Sequence, residues 1–320
     1  MSLLNFHFFS KMNLIQKIKR YMGTKNIKRR DYGMKNFVIT ADSNSDLLPQ
    51  YIQENKIGII PHYYNIDGIV YGDEINLTPK EFYDKMRGGV MPTTMASNPL
   101  VIYDTFTSYI KEGYDVLHIS FSSALSGGHN NVASGANEVM EENPGSKIIV
   151  IDSLNVSIGE GLLVMEAVKL RKEGLSIDEV ATIIEEKKSK IAVQFTVDDL
   201  FHLQRGGRIS KMTAIVGSMI NVKPILVVNE TGNLISNGTV RGRKKALATI
   251  ADNALKQLEG VSAEGGTIGI VHGDAPEDAA YVERILREAL PNYEIIINTV
   301  SPSIGSHSGP GAIGICFFRA

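Results

Sequence analysis

Four short apolar runs constrain this chain more than anything else in it. They are Asn36-Phe37-Val38-Ile39-Thr40, residues 57–60, Asp115-Val116-Leu117-His118-Ile119 and residues 147–151. Each is too short for a buried helix and is bounded by polar or turn-forming residues, so each reads as a buried strand. Helical segments lie between them, some with explicit start signals. Thr78-Pro79-Lys80-Glu81 offers an N-cap threonine, a proline in the first turn and a glutamate three residues on, and Ser176 with Glu179 repeats the capping box. Helices are expected over 49–54, 78–86, 100–111, 130–140, 159–173 and 176–190. Alternation of this kind argues an α/β domain built on a largely parallel sheet. The hairpin signal Asp67-Gly68 is a local exception.

From residue 191 the pattern changes. Strands are expected over 191–195, 223–229, 234–239, 267–272, 294–299 and 312–318, with a hairpin at Thr231-Gly232-Asn233 and helices leading to Leu258 and over 276–289. Hairpins mixed with helix crossovers imply a mixed sheet. The expected architecture is therefore two α/β domains, 34–190 with a largely parallel sheet and 191–320 with a mixed one, and a ligand between them. Residues 1–33 carry basic residues after their aromatic ones, which is the wrong order for a secretory signal. They are expected to be a disordered extension, with a basic amphipathic helix over 11–21 as the alternative.

In parallel sheets ligands bind beyond the carboxyl ends of the strands. Three hydroxyl-bearing loops lie there: Asp42-Ser43, Ser122 to Ser126, and Asp152-Ser153. The middle one stands between an apolar strand and a helix. Free backbone N–H groups, serine hydroxyls and the positive end of a helix dipole would meet in it, which suits an anion. An ordinary Ser/Gly-rich loop has the same composition. Pro92-Thr93-Thr94-Met95-Ala96-Ser97-Asn98-Pro99 is a second hydroxyl-rich loop, and Ser306-His307-Ser308-Gly309-Pro310-Gly311 a turn-rich one.

Composition excludes several classes. Lys and Arg number 33 against 35 Asp and Glu, a formal net charge of −2, so nucleic acid is not a default partner. The single cysteine, Cys316, rules out an internal disulfide framework and a cysteine zinc site and suits a reducing cytoplasm. No run of about 18 apolar residues is present, so no transmembrane segment is expected. The G-x-S-x-G elbow, the P-loop pattern and a dinucleotide fingerprint are absent, and the histidines lack metal-site spacing. Serines together with His118, His272 and His307 keep a serine-dependent lipid or ester hydrolase open as the alternative. Two basic clusters, around Arg208 and around Arg241 and Arg243, are candidate docking patches if they are not simply solvated.

These pieces, taken in order, resemble the DegV family. They are Asp42-Ser43-Asn44-Ser45-Asp46-Leu47, Ile60-Pro61, Tyr71-Gly72-Asp73, Pro92-Thr93-Thr94, Ser122-Ser123-Ala124-Leu125-Ser126-Gly127, Asp152-Ser153, Gly159-Glu160-Gly161, Gly206-Gly207-Arg208 and His307-Ser308-Gly309-Pro310-Gly311. The resemblance covers residues 34–320. It implies a two-domain lipid carrier that holds a long-chain fatty acid between its domains and needs no other cofactor. It implies a cytoplasmic role in phospholipid metabolism, in which the acid is presented to a separate fatty-acid kinase subunit that phosphorylates its carboxylate. Thr94 and Ser126, with His307 nearby, would contact the carboxylate, and no residue of the chain would be catalytic. Arg208, Arg241 and Arg243, basic and apart in sequence from that clamp, are the candidates for docking the partner. The chain departs from the family's Thr-Ser-Gln-Pro-Ser run at Thr94-Met95-Ala96-Ser97-Asn98, and from Gly-Thr-Tyr at Gly127-Gly128-His129.

The energetics suit a lipid. About 15 methylenes at about 0.8 kcal/mol each contribute on the order of 12 kcal/mol before ordering costs. An unpaired buried carboxylate would cost several kcal/mol, which hydroxyls, backbone donors and a protonated histidine would offset. Ile59, Ile60, Met165, Ile215, Met219 and Ile220 are candidates for the tail-binding wall, although most of them should simply be core.

Overall fold

The computed structural model describes residues 36–198, 200–209, 221–260 and 265–319. The expected extension over 1–33 and the tail-wall candidates Ile215, Met219 and Ile220 lie outside these residues.

The first half runs β1 (Phe37–Asp42), α1 (Pro49–Asn55), β2 (Gly58–Ile60), β3 (Tyr63–Ile66), β4 (Ile69–Tyr71), α2 (Pro79–Arg87), β5 (Thr93–Met95), α3 (Pro99–Lys111), β6 (Asp115–Ser120), α4 (Gly128–Glu142), β7 (Ile148–Asp152), α5 (Ile158–Lys172) and α6 (Ile177–Lys187). Start signals explain several helices. The Thr78/Glu81 and Ser176/Glu179 capping boxes both form, and Asn98 accepts the Leu100 N–H at the start of α3. The second half runs β8 (Ile191–Thr196), α7 (Phe201–Arg205), β9 (Val222–Val228), β10 (Leu234–Arg241), α8 (Arg243–Leu258), β11 (Thr267–His272), α9 (Pro276–Ala289), β12 (Glu294–Thr299), α10 (Pro302–Ser308) and β13 (Ile313–Phe318).

The four apolar runs that open the sequence form one all-parallel sheet, in the order β2-β1-β6-β7. Every residue of β6 is buried, which is why that run shows no alternation. A second sheet of six strands has the order β10-β9-β8-β13-β11-β12. Its β11–β12 pair is parallel and its other pairs are antiparallel, so it is mixed as expected.

One hydrophobic cluster joins the two sheets. Helix α5 packs on β1 and β6 of the parallel sheet and on β8, β11 and β13 of the mixed sheet. Ile39, Leu117 and Ile151 therefore share a core with Val193, Val271 and Cys316. Each sheet covers its other face separately. Ile102, Phe106, Val132 and Val139 of α3 and α4 do so for the parallel sheet, and Leu247, Ile250, Val282 and Leu286 of α8 and α9 for the mixed one.

Two segments differ from expectation. Thr93–Met95 is a strand, not a loop: it pairs antiparallel with β3 in a small third sheet, β4-β3-β5, with Thr94 opposite Tyr64. Residues 302–308 form helix α10, whose end takes in Ser306, His307 and Ser308 of the turn-rich loop expected over 306–311. Pro302 starts it, Ser306 Oγ donates to the Pro302 carbonyl, and Ser303, Gly305 and Ser306 are buried against the rest of the fold.

Candidate functional site

The carboxyl end of the parallel sheet, strand β5, helix α10 and the mixed sheet enclose a cavity of about 200 Å³. That is more than ten times the ~10–15 Å³ needed to hold one water, so it is a ligand-sized space and not a packing defect. Most of its wall is apolar. Val193 and Phe195 of β8, Val271 of β11, Val300, Ile304 and Cys316 line it. Burial pushes the Cys316 thiol far up, so it serves as an apolar wall group and not as a nucleophile. Of the expected tail-wall residues, Ile59 and Met165 pack against the joint core and Ile60 sits under α3 and α4. None of these three lines the cavity.

Thr94, Ser126 and His307 do line it, so residues 32 and 181 positions apart in the sequence meet at one space. Thr94 Oγ1 lies 2.8 Å from His307 Nε2. Burial, reinforced by the nearby Arg208, Arg205 and His202, holds His307 down at about 4. The imidazole is therefore neutral at physiological pH, and the protonated histidine expected from the sequence is not at this position. A neutral imidazole carries one N–H. His307 Nδ1 is buried with no partner, and an orphaned acceptor is tolerated better than an orphaned N–H. The proton belongs on Nε2, which donates to the Thr94 oxygen. The Thr94 hydroxyl proton is then left to donate to a ligand.

Ser126 follows β6 and precedes α4, as the sequence implied. Its oxygen accepts the Gly128 N–H at 3.1 Å, which also leaves its proton available. The rest of that loop behaves differently from expectation. Several of its backbone donors are already committed: Phe121 N–H to Asp42, Ser123 N–H to Asp152, and those of Leu125 and Ser126 to the Ser122 carbonyl. Ser122 itself is structural, donating to the Gly232 carbonyl at 2.9 Å. Of the serine hydroxyls of this loop, that of Ser126 lines the cavity with its proton uncommitted. Among the described residues no hydrogen bond joins Ser126 to an imidazole; the serine–imidazole hydrogen bond of this region is Ser120 Oγ with His129 Nδ1 at 3.2 Å.

Arg208 was expected at a docking surface. It is half-buried on the cavity wall, with Nε donating to the Leu125 carbonyl at 3.0 Å and Nη1 to the Gly206 carbonyl. Arg205 donates to the carbonyls of Pro92 and Ser306 and so ties the approach to β5 onto α10, beside the Thr94–His307 pair. The two arginines place positive charge near the hydroxyls. Arg243 is not a free docking group either: it pairs with Asp278 at 2.7 Å and Asp198 at 3.5 Å and donates to the Gly311 carbonyl. Arg241 is exposed. Sequence signals could nominate these residues as basic, but only the fold separates wall, staple and surface.

Among the described residues no cluster of His, Cys, Asp and Glu could hold a metal ion, and no helix is long and apolar enough to cross a membrane. An apolar cavity with two hydroxyl donors and nearby guanidinium charge suits a ligand with a long apolar body and one small anionic head.

Comparison with known proteins gives the same picture. A family model described as "Uncharacterised protein, DegV family" matches residues 36–320. A DegV domain-containing protein of Clostridium perfringens is 40% identical over 286 residues, covering 89% of this chain and 98% of its own length. Among solved structures, a fatty-acid-binding DegV family protein from Thermus thermophilus is similar with a TM-score of 0.80 at 29% identity, covering 89% of this chain and all (100%) of its own. DegV of Bacillus subtilis, described as a fatty acid binding protein, is similar with a TM-score of 0.78 at 28% identity, over 89% of this chain and 100% of its own. A stearic acid-binding protein from Eubacterium ventriosum is similar with a TM-score of 0.82 at 25% identity, over 88% of this chain and 98% of its own.

Proposed function

The chain belongs to the DegV family, and from that premise and the chemistry of the cavity we propose that it is a carrier for a long-chain fatty acid. The tail lies along Val193, Phe195, Val271 and Ile304, and the carboxylate meets the hydroxyls of Thr94 and Ser126. One observation carries the reading: the Thr94–His307 hydrogen bond and Ser126 converge on a single, largely apolar cavity. Apolar burial supplies affinity without regard to the head group, and the hydroxyls and guanidinium charges select an anion.

Protein purified from cells should retain a free fatty acid stoichiometrically, read by mass spectrometry. Ser126→Ala should weaken binding of stearic acid by roughly ten- to a hundredfold, the loss of one neutral donor to a charged group at about 1.5–3 kcal/mol. Stearyl alcohol should lose much less. Equal losses for acid and alcohol would mean that Ser126 shapes the pocket and does not read the charge.

The reading extends to a partner: the bound acid is presented in the cytoplasm to a separate kinase subunit that phosphorylates its carboxylate. The carrier supplies no catalytic group. With 34–190 and 191–320 taken as the two domains, the proposed head-group contacts Thr94 and Ser126 belong to the first and His307 to the second. Arg241, exposed at the end of β10, is the best of the three candidate arginines for docking such a partner. Arg241→Glu should slow acyl-phosphate formation and leave stearic acid binding intact. Equal loss of both would remove Arg241 from the docking surface.

A further inference from the structure

Behind the cavity wall lies a group of buried ionisable side chains that the hydroxyl contacts do not use. At its centre is Asp42, the last residue of β1 and fully buried. Its Oδ2 accepts the Phe121 N–H at 2.7 Å and lies 3.4 Å from His62 Nε2, while its Oδ1 lies 3.5 Å from His118 Nε2. Burial by itself would raise the Asp42 carboxyl. The two imidazoles facing it, His62 and His118, outweigh burial and hold the group well below the usual carboxylate range. Asp42 is therefore an anion. On its far side, Glu160 Oε1 accepts the Asp42 N–H at 3.2 Å. Burial, and then the negative Asp42, push the Glu160 carboxyl well up, so it keeps its proton and adds no second charge.

The two imidazoles beside Asp42 are placed differently. His118 is sealed inside, with Nε2 3.5 Å from Asp42 Oδ1 and Nδ1 2.9 Å from the Thr40 hydroxyl, so neither ring nitrogen is open to the cavity. His62 is on the cavity wall. Its Nε2 is the sealed atom facing Asp42; Nδ1, across the ring, is not sealed and has no hydrogen-bond partner among the described residues. The position is fixed from several directions. The His62 N–H donates to Ser43 Oγ at 2.9 Å, and Phe121 packs against the ring. Gly128 makes room for it: a Cβ there would stand 2.9 Å from His62 Cε1 and 3.3 Å from Ser126 Oγ, so the ring and the Ser126 hydroxyl flank the same glycine. In the small sheet Tyr63 is opposite Met95, which sets His62 beside the strand that carries Thr94.

We propose that His62 is a further head-group residue and that it is protonated when the fatty acid is bound, an imidazolium between the Asp42 carboxylate and the ligand carboxylate. The proposal rests on the fatty-acid reading above. Two anions flanking one imidazole favour its charged form. The trio then carries one net negative charge instead of two, and the ligand carboxylate gains a cationic hydrogen-bond donor. The charged and titratable groups around His62 are Asp42, with His118 and Glu160 behind it, and Arg208, Arg205 and His307 elsewhere at the cavity. His307 is held down by burial and the arginines and His118 is sealed off the cavity, so His62 is the cavity-wall imidazole that faces a carboxylate. The balance is explicit: an ionised acid and a proton from solvent enter, and the imidazole holds that proton in the complex.

The test is calorimetric titration of the full chain with stearic acid and with stearyl alcohol at about pH 8, in two buffers of different ionisation enthalpy. Above the ordinary imidazole range the wild-type chain should take up close to one proton per acid bound, and its affinity for the acid should fall about tenfold per pH unit. The alcohol should bind without proton uptake. His62→Gln should bind the acid more weakly, with the pH slope and the uptake both gone. Uptake that is absent in the wild type, or that persists in His62→Gln, overturns the proposal, because the proton then resides on the acid or on another group. A second measurement needs no variant to fold: imidazole ¹⁵N spectra of the wild type should show one histidine becoming imidazolium on addition of stearic acid, and no such change overturns the proposal equally. If neither ligand binds at any pH, the fatty-acid reading fails and this inference fails with it.

Discussion

Thr94→Val probes the head-group geometry with little change of shape. Thr94 lies on β5, where a β-branched residue is at home, so the substitution exchanges a hydroxyl for a methyl and keeps the volume. What is lost is the oxygen 2.8 Å from His307 Nε2. His307 Nδ1 already lacks a partner, so the variant leaves the half-buried imidazole with neither nitrogen paired. A stranded donor of this kind costs about 1–3 kcal/mol, expected as a lower denaturant midpoint at unchanged slope. Binding should suffer separately. The Thr94 proton donated to a carboxylate is worth about 1.5–3 kcal/mol, so stearic acid should bind roughly ten- to a hundredfold more weakly. A neutral alcohol head should lose only about 0.5–1.5 kcal/mol. The assay is a titration of both ligands against both proteins. Because His307 is held at about 4, it is neutral throughout the working range, and the ratio of wild-type to variant affinities should stay constant from about pH 6 to 8. His307→Gln completes a double-mutant cycle. Two residues acting as one unit should give a double variant less impaired than the sum of the singles. Equal losses for acid and alcohol, together with additive single effects, would refute the assignment of Thr94 as a donor oriented by His307.

Three further outcomes follow from the same geometry. Gly206→Ala would set a Cβ 2.1 Å from His307 Nδ1, so it should displace the imidazole, cost about 1–3 kcal/mol of stability and weaken stearic acid binding, checked by chemical denaturation and titration. Arg243→Ala breaks the ion pairs with Asp278 and Asp198 and should cost roughly 1–3 kcal/mol, whereas Arg241→Ala on the exposed end of β10 should stay within about 0.5 kcal/mol of wild type in the same melts. Asp46→Asn should change the pH dependence of stability. Burial raises the Asp46 carboxyl to about 7 against hydrogen bonds from Ser157 and Ser301 that lower it. Between about pH 4 and 7 the unfolded chain has released this proton and the folded chain has not, so wild-type stability falls with rising pH, by roughly 1.4 kcal/mol per unit from this group. The variant lacks that loss, so its melts should gain on wild type across that window; a gap that stays constant with pH would show that Asp46 is already ionised in the fold.

The sequence made some of this site legible and hid the rest, and the physical reason differs from residue to residue. The parallel sheet was readable because its strands are buried on both faces, and burial on both faces writes a continuous apolar run. Strand β5 was not, since three residues are too few to show a period; Thr93–Met95 is a strand because β3 offers an edge to pair with. Helix α10 was hidden by its serines and glycine, whose low propensity is overridden by the burial of Ser303, Gly305 and Ser306. The same division runs through the site. A serine or threonine in a segment beyond a strand has few structural duties there, so Thr94 and Ser126 could be nominated from their positions and from the family resemblance, and both line the cavity. Arginine and histidine have many duties. Arg208, Arg243, His307 and His62 each take their role from a partner far along the chain: the Leu125 carbonyl, Asp278, Thr94 and, more modestly, Asp42. A guanidinium is equally basic on a cavity wall, in a staple or on the surface, and an imidazole is charged or neutral according to whether a carboxylate or an arginine stands next to it. At Thr94 and His307 that neighbour is 213 positions away, and at Asp42 and His62 it lies across a sheet edge. The electrostatics of this head-group site are therefore a property of the fold: His307, held down by burial and then by the arginines, is a neutral histidine, and His62 is the wall histidine that an aspartate stands behind.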